Sequence, residues 1–337
     1  MHKSGIVIHW SWIFAEVDMA HRDLGQLSLA DGVVHGTAGS NARLERIEGL
    51  LDWSAFEKRL AVIYSSRKGR PSYPPLTLFR CLLLQQWYGL SDPGLEEALC
   101  DRLSFRRFCG LALDEAAPDH STISRFRTQL ARHGLSGVLF EELHRQLDAK
   151  GLIVRQGTLI DATLVAAQAR RPPHSAGRKS PVDGDANWTR RGHKSHFGYK
   201  AHIGVDRGSG LIRRRLLTPA AVNDTVPADA LIVGDEAAVY ADMAYDSHSR
   251  RARLKAAGIK DRIMHRPNKH HPDLPPLKAR RNRLITPIRA AVEGVFGLMK
   301  RSYGYRRVRY YGLAANALQF DLLCIAINLR RAETLLR

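Results

Sequence analysis

Gly157-Thr158-Leu159-Ile160-Asp161-Ala162-Thr163 is the stretch on which the fold turns. Thr158 to Ile160 form a short apolar-rich run behind a carboxylate, with Gly157 as its boundary. That pattern predicts a strand ending at Asp161. Before Gly157, from about residue 46, the chain reads as helical. After it, strand and helix signals alternate.

On the N-terminal side, residues 1–45 carry weak signals. A short helix is expected around Leu50–Ile63, followed by the basic turn Arg67-Lys68-Gly69-Arg70. Pro74-Pro75 open an apolar helix, Leu76–Tyr88, that Gly89 stops. Ser91-Asp92-Pro93 supplies a cap and then Pro in the first turn of a second helix, which runs to about Arg102. Ser104–Gly110 is a short third helix. Asp119 caps a fourth, which turns Ile123, Phe126 and Leu130 inward and Arg125, Arg127 and Arg132 outward. Leu135–Lys150 is a fifth, ended by Gly151.

On the C-terminal side, a polar, basic loop is expected over Arg170–His196. Phe197–Asp206 and Leu211–Leu217 read as strands joined by Arg207-Gly208-Ser209-Gly210. A helix over Pro227–Val233 follows the cap Asn223-Asp224-Thr225. Then come a strand Ala238–Asp242, a basic helix Ser247–Ala257 and a strand Ile259–Met264. A Pro-rich basic stretch (267–283), a helix Pro287–Tyr303 and a long apolar helix Leu313–Leu336 close the chain. An antiparallel meander feeding parallel units describes a mixed α/β sheet. The expected organisation is a weak N-terminal segment (1–45), an all-α domain (46–151) and an α/β domain (152–337).

Composition narrows the partners. Hydrophobic residues make up 44% of the 337, enough for a sizeable core, and the net charge is +19. Residues 250–309 hold eighteen Lys and Arg against three acids, Asp261, Asp273 and Glu293. A field so lopsided favours a phosphate-bearing partner, nucleic acid before membrane; a solvated basic face is the plain alternative. Cys81, Cys100, Cys109 and Cys324 form no C-x-x-C pair, which suggests buried thiols and a reducing, cytoplasmic compartment. His265, His270 and His271 resemble a metal cluster, but Pro267 and Pro272 interrupt it. No uninterrupted apolar run approaches the ~20 residues of a membrane span. Ile6–Val17 is apolar but lacks the flanks of a signal peptide, and Met19 is an alternative start, so residues 1–18 are expected to be dispensable.

Three carboxylates stand out. Asp161 and Asp242 each sit at an expected strand end, where side chains can meet in a sheet crevice. At about 100° per residue, Arg289, Glu293 and Lys300 share one stripe of their helix with Phe296. Ile288, Val292, Val295 and Met299 form a separate apolar stripe. Three carboxylates can hold two Mg²⁺ ions (Mn²⁺ substituting), because hard cations prefer oxygen ligands. The plain alternative is an exposed Asp, a cap and an i,i+4 Arg–Glu pair. Asp246 competes with Asp242 but is better read as a helix cap, and Asp224 and Asp206 as cap and turn residues.

In order, Tyr73-Pro74-Pro75, Gln86-Trp87-Tyr88-Gly89-Leu90-Ser91-Asp92, Pro118-Asp119-His120-Ser121-Thr122-Ile123, the Asp161 stretch, His196–Asp206, Ala241-Asp242-Met243-Ala244-Tyr245 and the Arg289-x3-Glu293-x6-Lys300 helix together form a pattern. Over about residues 25–333 the sequence resembles bacterial insertion-sequence DDE transposases, most closely the insertion sequence five family. The resemblance implies a ribonuclease-H-like catalytic core with Asp161, Asp242 and Glu293 as its metal-binding triad. It also implies that Arg289 and Lys300, with Arg301 beside them, touch transposon-end DNA. The helical region would bind the double-stranded ends, with Arg125 and Arg127 on a helix able to enter a major groove, and the enzyme would act as a homodimer on DNA. The related signature has Tyr where this chain has Thr286, which leaves any Tyr contact without a counterpart. Two alternatives stay open: a DNA-binding relic or repressor without chemistry, and a nuclease with no joining step. Trp188, among Arg190, Arg191 and Lys194, is read as a core or loop residue rather than a base-stacking one.

Overall fold

The computed structural model describes residues 22, 24–26, 40–63, 72–172, 180–267 and 273–337. The segment 1–18, the turn 67–70 and His270 and His271 lie outside these residues.

Among the described residues, seven helices come first: α1 (Ala42–Leu50), α2 (Trp53–Leu60), α3 (Pro75–Tyr88), α4 (Asp92–Asp101), α5 (Leu103–Cys109), α6 (His120–Arg132) and α7 (Leu135–Ala149). The single helix expected at Leu50–Ile63 is two. Asp52 breaks it by taking a cap position, its Oδ1 accepting from the Ser54 N–H at 3.0 Å. The other ends follow the sequence cues. Gly89 closes α3 in the left-handed region, Ser91 caps α4, and Asp119 accepts from the Thr122 N–H at 2.6 Å to start α6.

One orientation on α6 is corrected. Arg127 does not point outward with Arg125: its guanidinium is buried, donates to both oxygens of Asp92 (2.5 and 3.0 Å) and lies over the Tyr310 ring. Asp92, at the start of α4, offers a carboxylate where α6 crosses it, and the two form a charge-assisted, two-pronged pair. Arg125 is exposed and donates only to Ser121 and Thr122 of its own helix.

The sheet has six strands: β1 (Thr158–Ala166), β2 (Asn187–Arg191), β3 (Lys194–Asp206), β4 (Ile212–Pro219), β5 (Ala238–Ala241) and β6 (Lys260–Ile263). β3 lies antiparallel to β1 on one edge and to β2 and then β4 on the other. β5 and β6 continue from β1 in parallel. Three corrections follow. β1 does not end at Asp161 but runs five residues further, because residues 162–166 find partners 202–198 on β3. The expected loop 170–196 contains β2, which pairs with the start of β3 and carries Trp188 against Phe197. The helix expected over Pro227–Val233 is a single 3-10 turn, Pro227–Leu231.

Gly198 makes the long β1–β3 pairing possible. With φ of 153°, a Cβ there would stand 2.2 Å from the Val165 carbonyl oxygen. No side chain fits that approach.

α8 (His248–Ala256) and the short turns pack on the Ile160 face of the sheet, around Leu231, Val239 and Tyr245. α9 (Pro276–Arg289) and α10 (Ala291–Arg301) belong to the other face. The one helix expected at Pro287–Tyr303 is thus two, meeting at Ala290, and the Pro-rich stretch is helical from Pro276. Phe296 is buried although it shares the stripe of Glu293.

α11 (Leu313–Leu335) is the one described helix with the length and hydropathy of a membrane span, but two thirds (67%) of its apolar window is buried in the protein. Its polar side chains have internal partners. Asn328 brackets the Ile212 backbone, Gln319 accepts from Arg309, and Asp321 pairs with Arg215 and Ser136. It packs against α1, α3, α6, α7 and β4, so one hydrophobic core runs from Leu44 through Phe320 to Val205.

Candidate active site

Asp161 sits mid-strand on the face that α10 covers. β5 runs parallel beside it in the register Thr158↔Val239 and Leu159↔Tyr240. Carried on by two residues, that register sets Asp242 level with Asp161. Residues level on neighbouring parallel strands point to the same face. Asp242 follows the last residue of β5 and caps a 3-10 turn, Met243–Tyr245, accepting from the Ala244 N–H at 2.8 Å.

Glu293 arrives in the first turn of α10. Its link to the strands is Arg289, the last residue of α9. One Arg289 nitrogen donates to Asp161 Oδ2 at 3.0 Å and another to Glu293 Oε1 at 2.8 Å. The i,i+4 pair expected from sequence exists, but it is half of a bridge that ties helix to sheet. Lys300, two turns on, donates to Thr163 Oγ1 at 2.5 Å, and Thr163 is two residues beyond Asp161 on the same strand face. Arg301 is exposed.

The three carboxylates feel one another. Burial pushes the Asp161 carboxyl up to about 6; the Ala162 N–H and Arg289 pull it down, and Asp242 and Glu293 raise it further. Tyr245, fully buried, has its hydroxyl pushed up by burial and by Asp161, Asp224 and Asp242, and that oxygen has no hydrogen-bond partner. An orphaned buried hydroxyl in the field of three acids is unusual.

The competing acids fall elsewhere. Asp246 is not the cap of α8; Ser247 holds that position. Asp246 accepts from Arg251 and the Arg266 N–H, and although burial acts to raise its carboxyl, Arg251 holds it below the usual range. Asp206 is buried in its turn, accepting from Val154, Arg155, Gly208 and Ser209. Asp224 pairs with Lys200 at 2.8 Å. His265 faces the guanidiniums of Arg251 and Arg281, which, after burial, hold its ring below the usual range.

Among the described residues, no three His, Cys, Asp or Glu side chains converge closely enough to chelate a metal ion. Asp161 and Glu293 are held apart by the guanidinium between them. The donor set itself, three carboxylates in one electrostatic field with a cation already bridging two of them, suits a hard divalent ion. Sequence reading missed Thr163 and Tyr245. The period-two alternation from Asp161 pointed to Thr163; nothing local pointed to the burial of Tyr245.

A mixed α/β sheet that sets Asp242 level with Asp161, and whose Asp161 is tied to Glu293 through Arg289, behind a bundle of helices, defines a class of carboxylate-bearing α/β proteins. Residues 153–329, more than half of the chain, match the Transposase DDE domain family, and residues 35–129 match the Transposase domain (DUF772). The chain therefore belongs to the Transposase DDE domain family, and it is a DDE-type transposase. No solved structure matches it.

Proposed function

We propose that this transposase moves an insertion sequence of the insertion sequence five type, using Asp161, Asp242 and Glu293 as its catalytic carboxylates. The reading is carried by one observation: the β1–β5 register brings Asp242 level with Asp161, and Arg289 joins Asp161 to Glu293. The strand order β4-β3-β1-β5-β6, with the first two pairings antiparallel and the last two parallel, supports a ribonuclease-H-like core.

The carboxylates would hold two divalent cations, Mg²⁺ or Mn²⁺, whose chemistry is to activate a water or a 3′-hydroxyl and to stabilise the leaving oxygen at phosphorus. Arg289 serves first as an internal counterion that keeps Asp161 and Glu293 from repelling each other. Arg289 and Lys300 would also be the residues to donate to a DNA phosphate brought against the carboxylates. Arg301, exposed on the same helix, extends the contact along the backbone. The helical region, with Arg125 on its surface, would bind the terminal inverted repeats as part of a homodimer on DNA. Arg127 leaves that list, because its guanidinium is committed to Asp92.

Matched repeats in the DNA flanking the gene supply the substrate for the test. With a duplex carrying such an end and Mg²⁺, the protein should release a 3′-hydroxyl and join it to target DNA. Asp161→Ala, Asp242→Ala and Glu293→Ala should bind the end but yield neither product. Arg289→Ala and Lys300→Ala should slow cleavage by up to about 100-fold; Lys300→Ala should change thermal stability little, whereas Arg289→Ala should also lower it, because it strips Asp161 of its counterion. End binding without cleavage by the wild type would identify a repressor or relic. Cleavage without joined products would identify a nuclease. If Asp246→Ala is inactive and Asp242→Ala active, the second ligand is misassigned.

A further inference from the structure

A cavity of about 650 Å³ opens beyond Asp161 along its strand, between the tail of β1, the β2–β3 hairpin and the end of α10. Six cations line it: Arg170, Arg171, Arg191, Lys300, Arg306 and Arg307. It has no acidic lining residue, and none of the six pairs with a carboxylate among the described residues. The fold builds this arrangement on purpose-made backbone contacts. The Ala166 N–H donates to the Arg306 carbonyl and the Val308 N–H to the Ala166 carbonyl, which fixes the 306–308 segment along the end of β1. Lys300 is crowded here: burial lowers its ammonium below the usual range, and Arg191 and Arg306 lower it further.

Six like charges gathered around one concavity repel one another unless a polyanion fills it. The volume lies within the ~300–1,000 Å³ range of ligand-binding clefts. A duplex, a convex cylinder, does not enter such a space; one strand does. The wall is not wholly polar, since Leu164, Phe197 and Tyr199 form part of it. Lys300 joins the cavity to the acids, because the Thr163 it holds is two residues from Asp161.

We propose that this cavity binds one or two unpaired nucleotides of a single DNA strand, next to the phosphate at which the carboxylates act. The proposal rests on the DNA-processing reading of the carboxylates, but it concerns binding and can be tested without catalysis.

The test uses the full chain, a fluorescein-labelled (dT)12 strand and metal-free buffer, with anisotropy read over a salt series. Each cation that contacts a strand phosphate contributes roughly 0.7 to the slope of log affinity against log salt. The variant Arg191→Gln/Arg306→Gln/Arg307→Gln should lower that slope by about 2. Each single variant should lower it by its own share. Arg280→Gln/Arg283→Gln, exposed on α9 outside the cavity, should leave it unchanged. Melting temperatures should be unaltered, and the single variants cover the case in which the triple variant folds poorly. A wild-type slope in the triple and single variants, or an equal loss in the α9 variant, overturns the proposal. Retained strand binding in a chain that cleaves no end would sink the catalytic reading and leave this one standing. End cleavage with unchanged strand binding in the cavity variants would do the reverse.

Discussion

Asp161 carries the clearest residue-scale consequence. Its carboxyl is raised from the ordinary 3.8 to about 6, so the native state holds a proton that the unfolded chain releases. Stability conferred by that proton is present below about pH 4 and is lost as pH rises to about 6. Asp161→Asn should therefore raise stability above pH 6 in metal-free buffer, by at most about 3 kcal/mol at 1.36 kcal/mol per unit. Below pH 4 it should change little. Urea titrations of both proteins across that range measure the difference, and equal stability at pH 7 would show that Asp161 is not held against its charge. Asp161 and the residues around it were partly legible in the sequence: the apolar run marked the strand and the carboxylate. The bridge from Arg289 to Asp161 was not, because 128 residues separate the partners and no local period relates them.

Among the elements, the β1–β3 ladder matters most, because it sets where both Asp161 and the cavity lie. Gly198→Ala should break it locally. The added methyl would meet backbone, the Val165 carbonyl, which cannot rotate away as a side chain can. A loss of about 1–3 kcal/mol is expected from such overpacking, read as a lower urea midpoint. A variant of wild-type stability would mean that the 165–198 approach is looser than described. The sequence signalled both strands but ended β1 too early, at the carboxylate. Thr163 and Val165 favour a strand but Ala162 and Ala166 do not; pairing with residues 198–202 carries the strand through all five, and pairing is a tertiary event. The helix that carries Glu293 was read as one piece for a similar reason. The local break at Ala290 depends on how α9 and α10 each meet the sheet.

For the whole molecule, the sequence divides near residue 151 into a helical and an α/β part, yet the core does not divide there. α11 inserts its apolar side chains among α1, α3, α6 and α7 while Asn328 grips the start of β4. The two parts should then unfold together. Variants keeping Trp87 alone, in α3, or Trp188 alone, in β2, should give coincident urea transitions by fluorescence. Two separated midpoints would show independent domains. Removing residues 313–337 should abolish cooperative unfolding of both parts, because each loses a wall of its core.

What the sequence determined by itself was the alternation of elements, the helix caps, the basic partner surface and the three acids with their order along the chain. These are local or additive properties: periodicity, capping chemistry and charge are written residue by residue. Only the tertiary structure decided which charges are free to meet DNA. Arg127 and Arg125 are two residues apart on one helix, yet one is spent on Asp92 and the other is exposed. Arg191 is far in sequence from the adjacent pair Arg306 and Arg307, yet all three line one cavity. Whether a charge is paired or open depends on which distant group the fold brings within about 4 Å, where its Coulomb energy becomes large.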